Sequence, residues 1–76
     1  MITLENVKIT FDDLADAVYI RLTDELVDAT QDTGDSVLID YDLNSEIVGI
    51  EVLWASSLEP EGFGAILDAL TEAAKE

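Results

Sequence analysis

Hydrophobic and polar positions alternate most regularly between Val37 and Trp54, where two runs rich in β-branched residues meet at Asn44 and Ser45. Alternation with a period of two is typical of strands, and small polar residues between such runs are typical of a turn. The stretch therefore predicts a β-hairpin with Asn44 and Ser45 at its tip. The facing pairs on its apolar side are then Val37 with Val52, Ile39 with Ile50, and Tyr41 with Val48.

The rest of the chain supplies two more strands and a helix. V-K-I-T-F alternates, A-V-Y-I-R-L is largely apolar, and D-D-L-A-D between them reads as a turn. After Pro60, which suits the first position of a helix, apolar residues recur at helical spacing. This stripe consists of Phe63, Ile66, Leu67 and Leu70. The predicted class is α+β: an antiparallel β-meander of about four strands with one C-terminal amphipathic helix packed on one face. The predicted bounds are Val7–Phe11, Ala17–Leu22, Val37–Asp42 and Ile47–Trp54 for the strands, and Pro60–Ala74 for the helix.

The segment between the two hairpins, residues 23–36, is acidic and short of large apolar groups. Most of it is expected to be loop. Val27, Ala29 and Gln31 alternate within it and are candidates for a short edge strand. The charges around them would discourage that edge from pairing with another molecule.

The register of the first hairpin is left open, because the connecting turn has an odd number of residues. With a simple loop, Ile9 faces Tyr19 and Phe11 faces Ala17. Ile9, Phe11 and Tyr19 then lie together on the sheet face away from the core, as an apolar patch that a partner or a second subunit would cover. A β-bulge would reverse this arrangement.

Length and residue types restrict the class of protein. A chain of 76 residues makes one domain, with residues 7–57 as the sheet and 58–76 as the helix. Because so short a chain buries only about 60% of its unfolded surface, association would supplement its core. Cysteine and histidine are both absent, which removes the commonest zinc ligands and the commonest general base. No apolar run reaches the roughly 18 residues of a membrane span, and the start lacks a basic signal region, so we expect a cytoplasmic protein.

The net charge of the chain excludes some functions and suggests others. Eighteen acidic residues against three basic ones give a formal net charge of −15, which repels nucleic acids and anionic membranes. One hypothesis is a non-catalytic protein-interaction module, which forms a homodimer or larger homo-oligomer, or neutralises a basic protein partner. Its candidate surfaces are the sheet face with Ile9, Phe11 and Tyr19, and the helix flank near Leu58 and Phe63. The alternative is an ordinary domain whose acidity reflects adaptation to high salt.

One acidic set resembles a calcium loop. Asp40, Asp42, Asn44 and Glu51 have the corresponding spacing. However, Ser45 stands where such a loop needs glycine, and the flanking residues are strand-like where helices are required. We therefore interpret the four residues as polar groups on the exposed face of a hairpin.

A second acidic set lies in the first turn and consists of Asp12, Asp13 and Asp16. Three nearby carboxylates could hold magnesium or act as an acid–base pair, which is the basis of a lesser alternative, an Asp-based metal-dependent enzyme. Aspartate is also common in turns, because its side chain hydrogen-bonds to the local backbone. We assign no catalytic residue, no metal and no cofactor.

Three segments carry a family resemblance: F-D-D-L-A-D-A-V-Y-I-R-L, S-V-L-I-D-Y-D and I-V-G-I-E-V-L-W-A-S. From about Val7 to Ser57 the chain resembles the small prokaryotic family catalogued as domain of unknown function 2283. That family usually has proline where Asp13 stands, and an acidic glycine-containing turn in place of Leu43–Ser45. The resemblance implies a sheet of hairpins with no established activity. It also implies an antitoxin-like form of the interaction hypothesis, since some members are encoded beside small toxin-like proteins.

Overall fold

The structure, a computed structural model, describes residues 7–74. It confirms the α+β class, with five strands where the pattern predicted about four. The additional strand lies at the candidate edge position between the two hairpins. The strands are β1 (Lys8–Asp12), β2 (Ala17–Arg21), β3 (Ala29–Asp32), β4 (Val37–Tyr41) and β5 (Ile47–Val52). They are followed by a 3₁₀ turn (Ala55–Ser57) and by helix α1 (Pro60–Ala74).

The strands form one antiparallel sheet in the order β1-β2-β5-β4-β3. The last three strands of the chain are neighbours in a meander. The first hairpin is then added beside β5, so that β2 pairs with the last strand and not with the strand that follows it. This order leaves β1 and β3 as the two edges.

The pairing of β4 with β5 follows the predicted register over most of its length. The ladder then shifts between Asp40 and Tyr41. Tyr41 faces Ile47, and not Val48 as a two-residue tip predicted. The predicted pairs of Val37 with Val52 and Ile39 with Ile50 are confirmed, and in the same register Leu38 faces Glu51 and Asp40 faces Gly49.

The shift originates in the loop at the tip of this hairpin. Asp42 N donates to Glu46 O at 2.9 Å, and Ser45 N donates to Asp42 O at 3.0 Å, so that a loop of three residues, 43–45, closes between Asp42 and Glu46. Ser45 has a φ of 62°, the left-handed conformation that closes a type I turn in three-residue hairpin loops. The prediction of a tip made only of Asn44 and Ser45 is therefore wrong by one residue. The extra loop residue changes the register, and the bulge restores it further along.

The first hairpin adopts the second of the two registers. Ile9 faces Ile20, because Asp12 still belongs to β1 and four residues, not five, form the turn. Ile9 and Phe11 therefore lie on the face of the sheet that carries the core, and Tyr19 lies on the opposite face. The expected patch of Ile9, Phe11 and Tyr19 on one face is wrong, since a shift of one residue moves each side chain to the other face.

The core lies between one face of the sheet and α1, which packs mainly over β4 and β5. Small residues on the helix allow this close approach. Gly62 and Ala69 are buried, and a Cβ at Gly62 would overlap the side chain of Leu58. The predicted stripe is therefore only half right, because Ile66 and Leu70 pack on the core whereas Phe63 and Leu67 are exposed. The buried core consists of Leu22, Val37, Ile39, Ile47, Ile50, Val52 and Ala69.

Candidate functional site

The sheet face opposite the helix carries a polar network across four strands. The Tyr19 hydroxyl donates to Asp40 Oδ2 at 2.7 Å, and Thr30 Oγ1 donates to Asp40 Oδ1 at 2.6 Å. To reach Asp40, the Tyr19 ring passes directly over Gly49 on the intervening strand β5. A Cβ at Gly49 would overlap the phenol oxygen. Gly49 therefore provides the space through which β2 is linked to β4 and β3.

The hydrogen bonds of this network hold strands together, and the Tyr19 hydroxyl is not suited to catalysis. Burial, together with the hydrogen bond to Asp40 and the negative charge of that carboxylate, raises the pKa of the Tyr19 phenol to about 12. Near neutral pH the phenol stays protonated and donates a hydrogen bond. It is therefore a poor candidate for a general base or a nucleophile.

The residues with calcium-loop spacing are not brought together. Asp40 belongs to the network on the outer face, whereas Asp42 Oδ1 accepts hydrogen bonds from Asn44 N at 2.8 Å and Glu46 N at 3.0 Å. Glu51 lies further along β5 and faces residues on both neighbouring strands. Within residues 7–74, no three side chains of the metal-binding types are placed to hold an ion.

The aspartates of the first turn form different hydrogen bonds and do not act as one cluster. Asp12 Oδ1 accepts hydrogen bonds from Leu14 N at 3.1 Å and Ala15 N at 3.2 Å, which stabilises the turn itself. Asp13 is exposed beside it. The magnesium hypothesis finds no support in this arrangement.

Asp16 links the first turn to the far end of β5. Its Oδ2 accepts a hydrogen bond from Ser56 Oγ at 2.7 Å, and its Oδ1 accepts one from Ser56 N at 3.1 Å. Its carbonyl oxygen accepts a third from Ala55 N at 2.8 Å. With a φ of 52°, Asp16 is in the left-handed conformation that aspartate tolerates better than most residues. The contact joins residues that are far apart in the sequence.

A shallow cavity of about 200 Å³ lies beside this link, between the end of β5 and the start of α1. Trp54 borders it in the left-handed conformation, with 65% of its surface exposed. Asp35, Glu59 and Glu61 also line it. An aromatic ring beside carboxylates is an arrangement that attracts a cationic side chain.

A different surface lies on the helix side of the sheet, where large apolar side chains are exposed. Ile9 and Phe11 on β1 are 70% and 59% exposed, and Phe63 and Leu67 on α1 are 58% and 63% exposed. We call these four residues the apolar half-face. They account for much of the large apolar surface that lies outside loops.

The helix part of the apolar half-face lies on the flank of α1 away from β3. On α1, Ala65 and Asp68 line a cleft with Tyr41 on β4, so that flank of the helix points to the β3 edge. Phe63 and Leu67 lie one turn apart on the opposite flank, which faces β2 and β1. The acidic residues of the helix, Glu61, Asp68 and Glu72, are on the β3 side, and the flank toward β1 is uncharged.

Two residues predicted for an interaction surface lie elsewhere. Leu58 is partly buried, packs on the core and contacts the helix at Gly62. Tyr19 is on the outer face, in the network with Asp40. Of the five predicted surface residues, only Ile9, Phe11 and Phe63 are exposed on the helix side of the sheet.

These features define a class: small α+β domains with an open five-stranded sheet, one covering helix, and turns held by aspartate side chains. The family model described as protein of unknown function (DUF2283) matches residues 8–56, more than half of the chain, and the chain belongs to that family. The match includes all five strands and ends at Ser56, the residue bonded to Asp16, whereas α1 lies outside it. No curated protein and no solved structure matches the chain. The helices described within residues 7–74 are too short or too polar to cross a membrane.

The sequence-based interpretation missed three features. Gly49 had a usable signal, since a glycine inside a strand often marks the close approach of another group. The hydrogen bonds between Asp16 and Ser56 had no signal in the sequence, because they depend on how the hairpins assemble. Trp54 was assigned to a strand, and its left-handed conformation ends that strand early.

Proposed function

We propose that this protein is a non-catalytic protein-interaction module whose first partner is a second copy of itself. The observation that carries the proposal is the apolar half-face: Ile9 and Phe11 on β1, and Phe63 and Leu67 on α1, are all exposed on the helix side of the sheet. Burial of such side chains is the main favourable term in association. Within residues 7–74 the buried cluster under the helix has seven residues, so additional burial would stabilise the fold as well.

The distribution of charge supports this choice of surface. Two copies with a net charge of −15 repel each other, and an interface tolerates this best where it is itself uncharged. Physiological salt screens such repulsion beyond about 8 Å. Salt should therefore strengthen the homodimer, because repulsion between the rest of the two surfaces decreases.

Sedimentation at low and high salt tests the proposal, with Phe11→Glu as the disruptive variant. Leu43→Glu is the matched control, since Leu43 is 83% exposed in the loop between β4 and β5, outside the apolar half-face. We expect a dimer that strengthens with salt, is weakened at least tenfold by Phe11→Glu and is unaffected by Leu43→Glu. A folded monomer at both salt concentrations, up to high micromolar protein, would contradict self-association.

A second candidate function is capture of a basic protein, of which an antitoxin-like role is one form. The cavity beside Trp54 favours it, because an aromatic ring and three carboxylates suit an arginine or lysine side chain. Binding of a lysine-rich peptide should weaken as salt rises, which is the opposite sign to the homodimer. Trp54→Ala should reduce that binding, whereas Phe11→Glu should not.

A further inference from the structure

The two edges of the sheet differ in how they are protected from pairing. Both edge strands are fully exposed along their length. β3 reads A-T-Q-D, with Asp28 before it, so that it is acidic at both ends. β1 reads K-I-T-F-D, with a cation at one end and an anion at the other. Charged residues of one sign discourage an edge from pairing with its own copy, whereas opposite charges at the two ends favour antiparallel self-pairing.

We propose that two copies pair through β1, antiparallel and around a two-fold axis at Thr10, to form one continuous sheet from two five-stranded ones. This inference rests on the proposed self-association and assigns the surface that mediates it. Thr10 then faces Thr10 of the second copy. Ile9 faces Phe11 of the second copy, and Lys8 faces its Asp12. A two-fold interface of this kind uses the same strand twice and closes on itself.

The charges select this register. Lys8 lies directly opposite Arg21 on β2, so that two of the three cations in a strongly acidic chain face each other. A like-charge pair across strands is unfavourable, and a carboxylate on the other side of Lys8 would offset it. Asp12 of the second copy takes that place when Thr10 is at the centre. A shift of two residues in either direction leaves Lys8 without this partner.

The apolar side chains agree with the same register. Ile9 and Phe11 lie on the helix side of β1, and pairing brings two of each into one four-residue cluster. That cluster extends the apolar half-face across the axis. The self-pairing of β3 offers nothing comparable, because its central residues are Thr30 and Gln31.

A single introduced cysteine tests the register, since the chain has no cysteine of its own. Facing residues in antiparallel strands have Cα atoms about 4.5–5.5 Å apart, which is within the range of a disulfide. Thr10→Cys should form a covalent dimer in most of the protein under mild oxidation. Thr30→Cys is the matched control on the other edge. Lys8→Cys is the register control, because its two copies would be about 14 Å apart along the strands. Both controls should remain largely uncrosslinked.

A charge reversal gives an independent readout by sedimentation. Lys8→Glu should weaken the dimer at least tenfold at low salt, because the new carboxylate would face Asp12 of the second copy. Arg21→Glu changes the net charge equally, one strand further from the axis, and should have a clearly smaller effect.

The outcomes separate this inference from the proposed function. A dimer that persists in solution but does not crosslink through Thr10→Cys would overturn pairing through β1 and leave self-association standing. A monomer would overturn both. Equal crosslinking of Thr10→Cys and Thr30→Cys would show collisions between copies and would also overturn the β1 interface.

Discussion

The part of the sheet formed by β4 and β5 lies under α1, whereas the edge strand β1 carries equally large apolar residues in exposed positions. Ile39 and Ile50 are buried under the helix, and Ile9 continues the same row with 70% of its surface exposed. The same residue type in the same row thus stabilises the fold at one end and remains exposed at the other. The difference is whether the helix lies over the residue, since one helix is too narrow to cover a sheet of five strands.

The strongest way to test this comparison is to shorten one isoleucine in each of these two regions. Ile50→Ala should lower the free energy of unfolding by about 3 kcal/mol, because it removes a fully buried side chain. Ile9→Ala should change it by less than about 0.5 kcal/mol in the monomer. Urea denaturation, at a concentration where sedimentation shows monomer, measures both. If Ile50→Ala does not fold, Ile50→Val should still lose about 1 kcal/mol. Equal losses at the two positions would contradict the difference in cover.

A smaller effect is expected at the boundary between the two regions. Gly49→Ala should cost about 2 kcal/mol, because the added Cβ overlaps the Tyr19 ring that links β2 to β4. Gly64→Ala is the matched control on α1, where an added Cβ meets nothing within 4 Å. It should stabilise the protein by roughly 0.5–1 kcal/mol, since alanine favours a helix. A loss of stability at both glycines would indicate that space is not the cause.

The mildest test uses pH. The pKa of Tyr19 rises from its ordinary value of 10.0 to about 12 in the folded state, so the folded protein holds this proton more tightly. Its contribution is fully present below pH 10 and is lost as the pH rises through 12. Unfolding measured across this range should show a decline that Tyr19→Phe reduces. An unchanged decline in the variant would assign the effect to other groups.

How far the sequence predicts this fold depends on the range of the interactions. The β4–β5 register follows from alternation on two apolar strands, and it was correct from Val37 to Asp40. The bulge was missed because it depends on the left-handed backbone of Ser45, a conformation that no hydrophobic pattern encodes. The register of the first hairpin depends on how many residues the turn uses. The alternation of polar and apolar residues does not decide whether that turn has four residues or five.

The candidate site divides in the same way. Helical spacing did not predict that Phe63 and Leu67 are exposed, because the predicted stripe was built from the large apolar residues of the helix. The fully buried positions of α1 are instead the small residues Gly62 and Ala69. Asp12 and Asp42 each accept hydrogen bonds from backbone N–H groups of their own turn, as aspartate commonly does in turns. The bond between Asp16 and Ser56 spans 40 residues and exists only once the hairpins have assembled.

The acidic edge at β3 would limit the size of the proposed assembly. An assembly that used β1 of one copy and β3 of the next would leave a free edge at each end and, unless it closed into a ring, would grow into a filament. Asp28 and Asp32 place negative charge along β3, so each new strand that approached it from this acidic chain would be repelled. If one edge is used in the proposed symmetric pair and the other is repellent, growth would stop at two copies. The carboxylates of β3 would then fix the stoichiometry of the assembly.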